Sequence, residues 1–508
     1  MASCSGNIDV VIDVGDRIRP SCPHGPALLF TKYIQGSKDN KTVGCQRRFF
    51  ACSAFRDRKA CPFFQWEDEK LSAGKMRIRE EINRQNAPPF THKQYWKRFL
   101  QLQDLSKNDH TFCHTCGLLL LPEERASHRS SGHNITSPVT RQMLHRPSQL
   151  FVPLDDNKTY AQYLFAESTV EFLLKTLQAH KFTHILCVGC PRIHESIQIK
   201  CSTDMETTGG LNSLLLDLDH RFFQVYPPSL FCQYNMFNHH FFDGKSSEEV
   251  FRKFLTEDDG MHVAMVMDPP FGGMVEALAA TIKKIEHTWQ ITSNKPSPCR
   301  LPVFLFFPYF MEKRILDCVP EFCMLDYKVD YDNHLLFTGA KGKKKGSPVR
   351  IFCNLSPKMV KLPEEEGYWY CEKCNRYSAK ENRHCDICES CTSKDGTTYV
   401  HCDRCGRCVK PSRVHCDICN TCEIPKHICG AVRSEGCHIC GSLEHKRREC
   451  PNKHQQQSEK TLFFSFLLNS HQIFMYMPNE IYTTKSILKS IDIFSRSKPR
   501  GVIQFKPD

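Results

Sequence analysis

The chain has 508 residues, a formal net charge of +12 at neutral pH, and 30 cysteines beside 24 histidines. That length exceeds one ordinary core, so two to four domains are expected, and the basic balance fits a polyanionic partner. No apolar run approaches the ~18 residues of a membrane span, and C-x2-C pairs mixed with histidine, with no signal peptide read, indicate reduced zinc-binding thiols and not a disulfide scaffold.

Residues 1–20 carry no periodic pattern and are expected to be disordered. Between residues 21 and 67, Cys22, His24, Cys52 and Cys61 would close a four-ligand zinc site, which so short a segment needs in place of a core. This pattern resembles the GRF-type zinc finger, a binder of single-stranded nucleic acid. The resemblance puts Arg47, Phe50 and Trp66 on a basic, aromatic surface suited to phosphates and stacked bases, with a purely structural zinc knob as the alternative. Cys45 falls outside the ligand set. Residues 68–110 are expected to be a connector, with helices over Glu67–Gln85 and Tyr95–Leu105. In 111–147, Cys113, Cys116, His128 and His133 have the two-Cys, two-His zinc spacing, read here as structural and not as a groove reader.

Globular character begins at 148. A helix is expected over Ser168–His180, then a buried strand His184–Val188 running into the turn Gly189-Cys190-Pro191, the usual cradle for a nucleotide-like cofactor. The strand ending at Asp217 and Asp219 supplies an acid where ribose hydroxyls are commonly held. Phe231–Tyr234 is a third strand. The run Val263–Met267 is a fourth, stopped by Asp268-Pro269-Pro270-Phe271 because proline cannot continue a sheet ladder. An acid at that strand end faces the ligand crevice. The exocyclic amine of adenine is a poor nucleophile, and Asp268 with the Pro269 carbonyl would accept its two hydrogens while Phe271 stacks on the ring. G-x-G-x-x-G is missing, so a methyltransferase fits better than a dehydrogenase. A further strand is expected at Pro302–Phe307, a helix at Met311–Val319, strands around Tyr327–Tyr331 and His334–Thr338, and a basic loop at 340–346; the domain spans 148–362.

Residues 367–431 repeat a His-Cys-x2-Cys-x2-Cys unit. Its candidate ligands are Cys371, Cys374, His384, Cys385, Cys388, Cys391, His401, Cys402, Cys405, Cys408, His415, Cys416, Cys419, Cys422, His427 and Cys429, enough for two or more interleaved zinc ions. The segment resembles the cysteine-rich fold of DHHC palmitoyltransferases. The Asp-His-His-Cys nucleophile of those enzymes is absent, so no acyl transfer is expected. At 435–452, Cys437, Cys440, His445 and Cys450 form a zinc knuckle, a binder of single strands, with Lys446, Arg447 and Arg448 beside it for phosphate. Residues 455–508 carry no zinc or catalytic pattern.

These modules, in this order over residues 20 to 453, resemble the zinc-finger, CCHC-domain-containing ribosomal RNA adenine-N6 methyltransferases of animals. The resemblance implies an α/β fold: a class I, Rossmann-like S-adenosylmethionine-dependent methyltransferase domain flanked by small zinc-binding domains. It implies N6-methylation of an adenosine in large-subunit ribosomal RNA, with S-adenosylmethionine as cofactor and several structural zinc ions. It further implies that Gln162, Tyr163, Leu164, Phe165, Arg192, Asp217, Asn235 and Phe237 line the cofactor site, together with Gly189 and Asp268. Expected surroundings are the nucleus or nucleolus, with the cytoplasm as an addition, and helicase or ribosome-biogenesis partners but no membrane. The tail departs from the family's strongly basic one. The rival readings are a methyltransferase of protein glutamine or lysine and a non-catalytic, zinc-rich RNA-binding scaffold.

Overall fold

The computed structural model describes residues 8–13, 15, 18–34, 45–55, 57–104, 110–153, 162–203, 210–296, 298–333 and 347–429. The knuckle ligands Cys437, Cys440, His445 and Cys450, the tail, the basic loop and the expected strand His334–Thr338 lie outside them.

Four strands near the start, β1 (Ile8–Val11), β2 (Leu28–Ile34), β3 (Cys45–Ala51) and β4 (Phe64–Trp66), form one antiparallel sheet in chain order. Residues 8–11, expected to be disordered, pair with Leu29–Lys32 of β2. In register, Leu29 lies opposite Phe50 and Phe30 opposite Phe49. Alternation then sends Leu28, Phe30 and Phe49 into one hydrophobic core and Leu29 and Phe50 into a second, smaller one. Phe50 is therefore buried and not presented to nucleic acid, because this sheet is covered on both faces.

Helix α1 (Ala73–Gln85) is solvated as expected, with no buried residue, but begins at its Ser72 cap and not at Glu67. Helix α2 (His92–Gln103) starts in a Thr91/Gln94 capping box, where the Thr91 side chain accepts from the Gln94 amide. It is no mere connector. His92, Tyr95, Phe99 and Leu102 form a buried stripe at helical spacing, and the last three join the main core. The next finger consists of β5 (Thr111–Cys113), β6 (Leu118–Leu120), helix α3 (Arg125–Ser130) and β7 (Ile135–Thr136), and it docks through Phe112 and Leu119 in the same core. Gln224 fixes the dock: its carbonyl accepts from the Leu119 amide at 2.7 Å, and its amide donates to the Gly117 carbonyl at 2.7 Å. This agrees with the structural role read for the finger.

The methyltransferase-like domain follows: α4 (Glu167–Ala179), β8 (His184–Val188), α5 (Pro191–Thr203), β9 (Asn212–Asp217), β10 (Phe231–Asn235), β11 (His240–Phe241), α6 (Lys245–Thr256), β12 (Val263–Met267), α7 (Val275–Thr292), β13 (Val303–Pro308), α8 (Glu312–Cys318), β14 (Cys323–Leu325) and β15 (Val349–Cys353). The sheet order is β11-β10-β9-β8-β12-β13-β15-β14. Numbered without the short β11, this is 3-2-1-4-5-7-6, with β15 antiparallel to β13, the doubly wound order of class I methyltransferases. Of the strands expected around 327–331 and 334–338, the second lies outside the described residues; residues 327–331 follow β14, which itself pairs with β15. Leu186, Val188, Met265 and Met267 face one core, Ile185, Cys187, Ala264 and Val266 the other. The first finger thus packs on one face of the sheet, and α2 with the second finger on the other. Among the described residues no helix is long and apolar enough to cross a membrane.

Candidate active site

Strands β8 and β12 lie side by side, and the chain leaves them in opposite directions, so a crevice opens beyond their carboxyl ends. Gly189 and Asp268 stand at those ends, and the Asp268 amide donates to the Val188 carbonyl at 3.0 Å. Pro270 then turns the chain, its carbonyl accepting from the Gly273 amide at 2.7 Å. Gly189 has φ +67, and a Cβ there would lie 2.5 Å from Met236 Cε and 3.0 Å from the Asp268 carbonyl oxygen. Only glycine lets the cradle approach this closely. Gly189→Ala is expected to weaken S-adenosylmethionine binding by about tenfold or more, because a left-handed alanine costs roughly 1–2 kcal/mol before any clash. Calorimetric titration of the purified variant reads this.

A strap crosses the crevice. The Gln162 amide donates to Asp219 Oδ2 at 3.0 Å, and the Tyr163 ring stacks on Phe271 at 5.2 Å. The strap is held by a segment far along the chain: Leu164 donates to Asn333 Oδ1 at 2.8 Å, Asn333 donates to the Gln162 carbonyl at 2.6 Å, and Phe165 bridges Tyr331. Phe165 is buried and stacks on Tyr331 at 5.1 Å. Tyr331 also donates its hydroxyl to Asp268 Oδ1 at 3.1 Å. Burial pushes the Asp268 carboxyl well above its ordinary range, and the Tyr331 bond opposes that shift by favouring the charged form. Tyr331 and Asn333 were not among the sequence candidates. Nothing local marks them, since their partners lie 63 to 171 residues away.

Two acids end β9. Burial works against ionising Asp219, but the fork of Arg221 at 2.6 and 2.9 Å and the Gln162 amide hold its carboxyl below the usual range. Asp217 accepts the Asp219 amide at 2.9 Å and is also bonded by the Leu218 backbone, yet burial, then the Asp219 charge, push it up to about 7. Hydroxyls of a ribose donate to the ionised form, so binding releases the proton Asp217 holds at lower pH. Affinity for S-adenosylmethionine is expected to fall up to about tenfold per unit below pH 7 and to level off above it. The unliganded fold has the opposite dependence: it loses stability as pH rises toward 7, because this folded carboxyl retains a proton that the unfolded chain releases. Titrations at pH 6 and 8, with Asp217→Asn flattening the profile, check the first sign, and unfolding of the unliganded chain between pH 5 and 7 checks the second.

Arg192, at the start of α5, donates to Ser148 Oγ at 3.1 Å and lies 3.6 Å from Asp332, beside the strap's anchor. Asn235 and Phe237, two further expected cofactor residues, make the following contacts. Asn235 donates to the His24 carbonyl at 2.8 Å and to Ser53 Oγ at 2.9 Å, while its carbonyl accepts from Phe237 at 3.0 Å. It fastens the first finger to the domain, and its side-chain amide is taken up there. Phe237 is buried and backs the turn at Gly273.

Six sets of four ligand atoms converge among the described residues. They are Cys22, His24, Cys52 and Cys61; Cys113, Cys116, His128 and His133; then Cys371, Cys374, His384 and Cys391; Cys385, Cys388, His401 and Cys408; Cys402, Cys405, His415 and Cys422; and Cys416, Cys419, His427 and Cys429, within 3.3 to 3.5 Å. Tetrahedral zinc demands S···N edges of about 3.5 Å and S···S edges of about 3.8 Å. The distances fit: Cys374–His384 3.2 Å, Cys52–His24 3.6 Å, Cys388–Cys408 3.8 Å. In the array each ion takes the Cys pair of one unit and the His and last Cys of the next, so neighbouring sites interlock.

A glycine cradle, a ribose-ready acid, and Asp-Pro-Pro-Phe on a 3-2-1-4-5-7-6 sheet define an S-adenosylmethionine-dependent N6-adenine methyltransferase that carries zinc modules. Consistent with this, residues 156–340 match the family model "Probable N6-adenine methyltransferase", and residues 20–70 match "GRF zinc finger". The chain belongs to the rRNA N(6)-adenosine-methyltransferase family. It is 51% identical over 455 residues to rRNA N(6)-adenosine-methyltransferase ZCCHC4 of Homo sapiens, covering 89% of this chain and 86% of that one. The same-named proteins of Mus musculus (49% over 451 residues, 88% and 86% covered) and Xenopus tropicalis (49% over 434 residues, 85% and 87%) are similar.

Proposed function

We propose that the chain methylates N6 of an adenosine in large-subunit ribosomal RNA. The observation that carries this is the Asp268-Pro269 edge at the crevice. A side-chain carboxylate and a neighbouring backbone carbonyl form a pair of acceptors matched to the two hydrogens of an aromatic amine. S-adenosylmethionine supplies the methyl group when bound. Asp268 and Pro269 would hold and turn the amine so that its lone pair points at the methyl carbon, and Phe271 would support the base, beside Tyr163. Gly189, Asp217 and the Gln162–Phe165 strap would form the cofactor wall.

Reaching that edge requires an unstacked base, which costs a few kcal/mol in a paired strand. Finger contacts to the flanking strand offset that cost, and Arg47, its guanidinium 3.8 Å above the Trp66 ring, suits a phosphate beside a stacked base. Nucleolar work among helicase and biogenesis partners fits a ribosomal substrate. The reading is tested with ribosomal RNA from cells depleted of the protein. That RNA should accept label from S-adenosylmethionine, whereas RNA from replete cells, already modified, should not. Equal labelling of both would overturn the ribosomal site, and label in protein would replace this reading with the protein-methylating rival.

A further inference from the structure

The segment that follows β14 is extended, and its residues alternate in destination. Tyr327, Val329 and Tyr331 are buried toward the methyltransferase core. On the other side, Met324, Asp326 and Lys328 are hydrogen-bonded to the beginning of the cysteine-rich array. Arg376 donates to the Met324 carbonyl at 3.0 Å. The Ala379 amide and Asn382 Nδ2 donate to Asp326 Oδ2 at 2.8 and 2.7 Å, and the Lys328 amide donates to the Tyr368 hydroxyl at 3.0 Å. Asp326, only 1% exposed, also faces the buried Arg350 guanidinium at 4.0 Å. Asn382, fully buried, is fixed in turn by Ser393, donating to its carbonyl and accepting from its amide, each at 3.0 Å.

Those bonding residues are distributed around one metal site. Tyr368 lies three residues before Cys371, Arg376 two after Cys374, Asn382 two before His384, and Ser393 two after Cys391. Isolated, this loop has too little core to fold, so closing the Cys371, Cys374, His384 and Cys391 set is what brings the donors together. The braced segment leads directly to Tyr331 on Asp268 and to Asn333 on the strap.

We propose that the first zinc loop of the array is a brace for the cofactor strap and the Asp268 edge, with Asp326 the positioning residue through which it acts. The proposal rests on the site reading given above for its effect on cofactor, but not for its effect on the segment. Buried hydrogen bonds left half-made are costly, so releasing the brace is expected to weaken affinity by roughly tenfold.

The test uses the full chain with zinc, and S-adenosylhomocysteine as the probe. Asn382→Leu removes one donor to Asp326, Asp326→Leu removes the acceptor, and Asp326→Asn keeps an acceptor oxygen; Arg404→Ala, on the distal array, is the control. Asn382→Leu and Asp326→Leu should keep the parent's zinc content. Each should exchange the amide hydrogens of residues 326–333 about tenfold faster and bind the probe about tenfold more weakly, with Asp326→Asn near the parent. Parent-like exchange and affinity in folded Asn382→Leu would overturn the proposal, as would exchange that quickens uniformly along the chain. Should the parent itself bind no probe, the site reading falls, while exchange at 326–333 still decides whether the brace exists.

Discussion

Replacing Asp268 with alanine is expected to lower methyl transfer to RNA by about a thousandfold or more while changing S-adenosylmethionine affinity by less than about tenfold. One preorganised polar contact at a reacting centre accounts for ~10²–10³ in rate, and here the side chain both accepts from the amine and orients it. The loop itself should survive, because it is held by main-chain bonds: the Asp268 amide to Val188 at 3.0 Å and Gly273 to Pro270 at 2.7 Å. Asp268→Asn, which keeps one acceptor oxygen, should fall between. Single-turnover rates and equilibrium dialysis on the same preparations separate chemistry from binding. A variant that loses cofactor and activity together would reassign Asp268 to cofactor binding.

The second large effect concerns zinc. Cys52→Ser should remove one zinc ion per chain, leave the other described sites loaded, and destabilise the protein by about 4 kcal/mol or more, lowering Tm by roughly 10 °C. The effect spreads beyond the finger because its His24 carbonyl and Ser53 receive the Asn235 amide, and Gly25 lies against the ring of His240. The first finger is part of the catalytic domain's wall. Metal content with thermal unfolding measures both halves, and an unchanged Tm after loss of the ion would show the finger to be an independent appendage.

Much of this was readable in residue order. The strands at 184–188 and 263–267 announce themselves as apolar runs stopped by glycine or proline, and the two-Cys, two-His and Cys-x2-Cys spacings mark metal ligands locally. What could not be read depends on distant contacts. Phe50 resembles a surface aromatic until Leu29 and the second covered sheet face are known. Asn235 sits at a strand end where cofactor residues gather, but the finger reaches it from 211 residues away. The array's repeat is visible, whereas its pairing is not, because each ion is shared between successive units. Tyr331 is an ordinary tyrosine in sequence and acquires a role only where β14 delivers it to Asp268.

The most direct measurement is nucleoside analysis after the purified chain has been given S-adenosylmethionine bearing an isotope-labelled methyl group, together with ribosomal RNA and total protein. The account predicts label as N6-methyladenosine in large-subunit RNA, absent with Asp268→Ala. Label on protein glutamine or lysine, or on another base position, would contradict it.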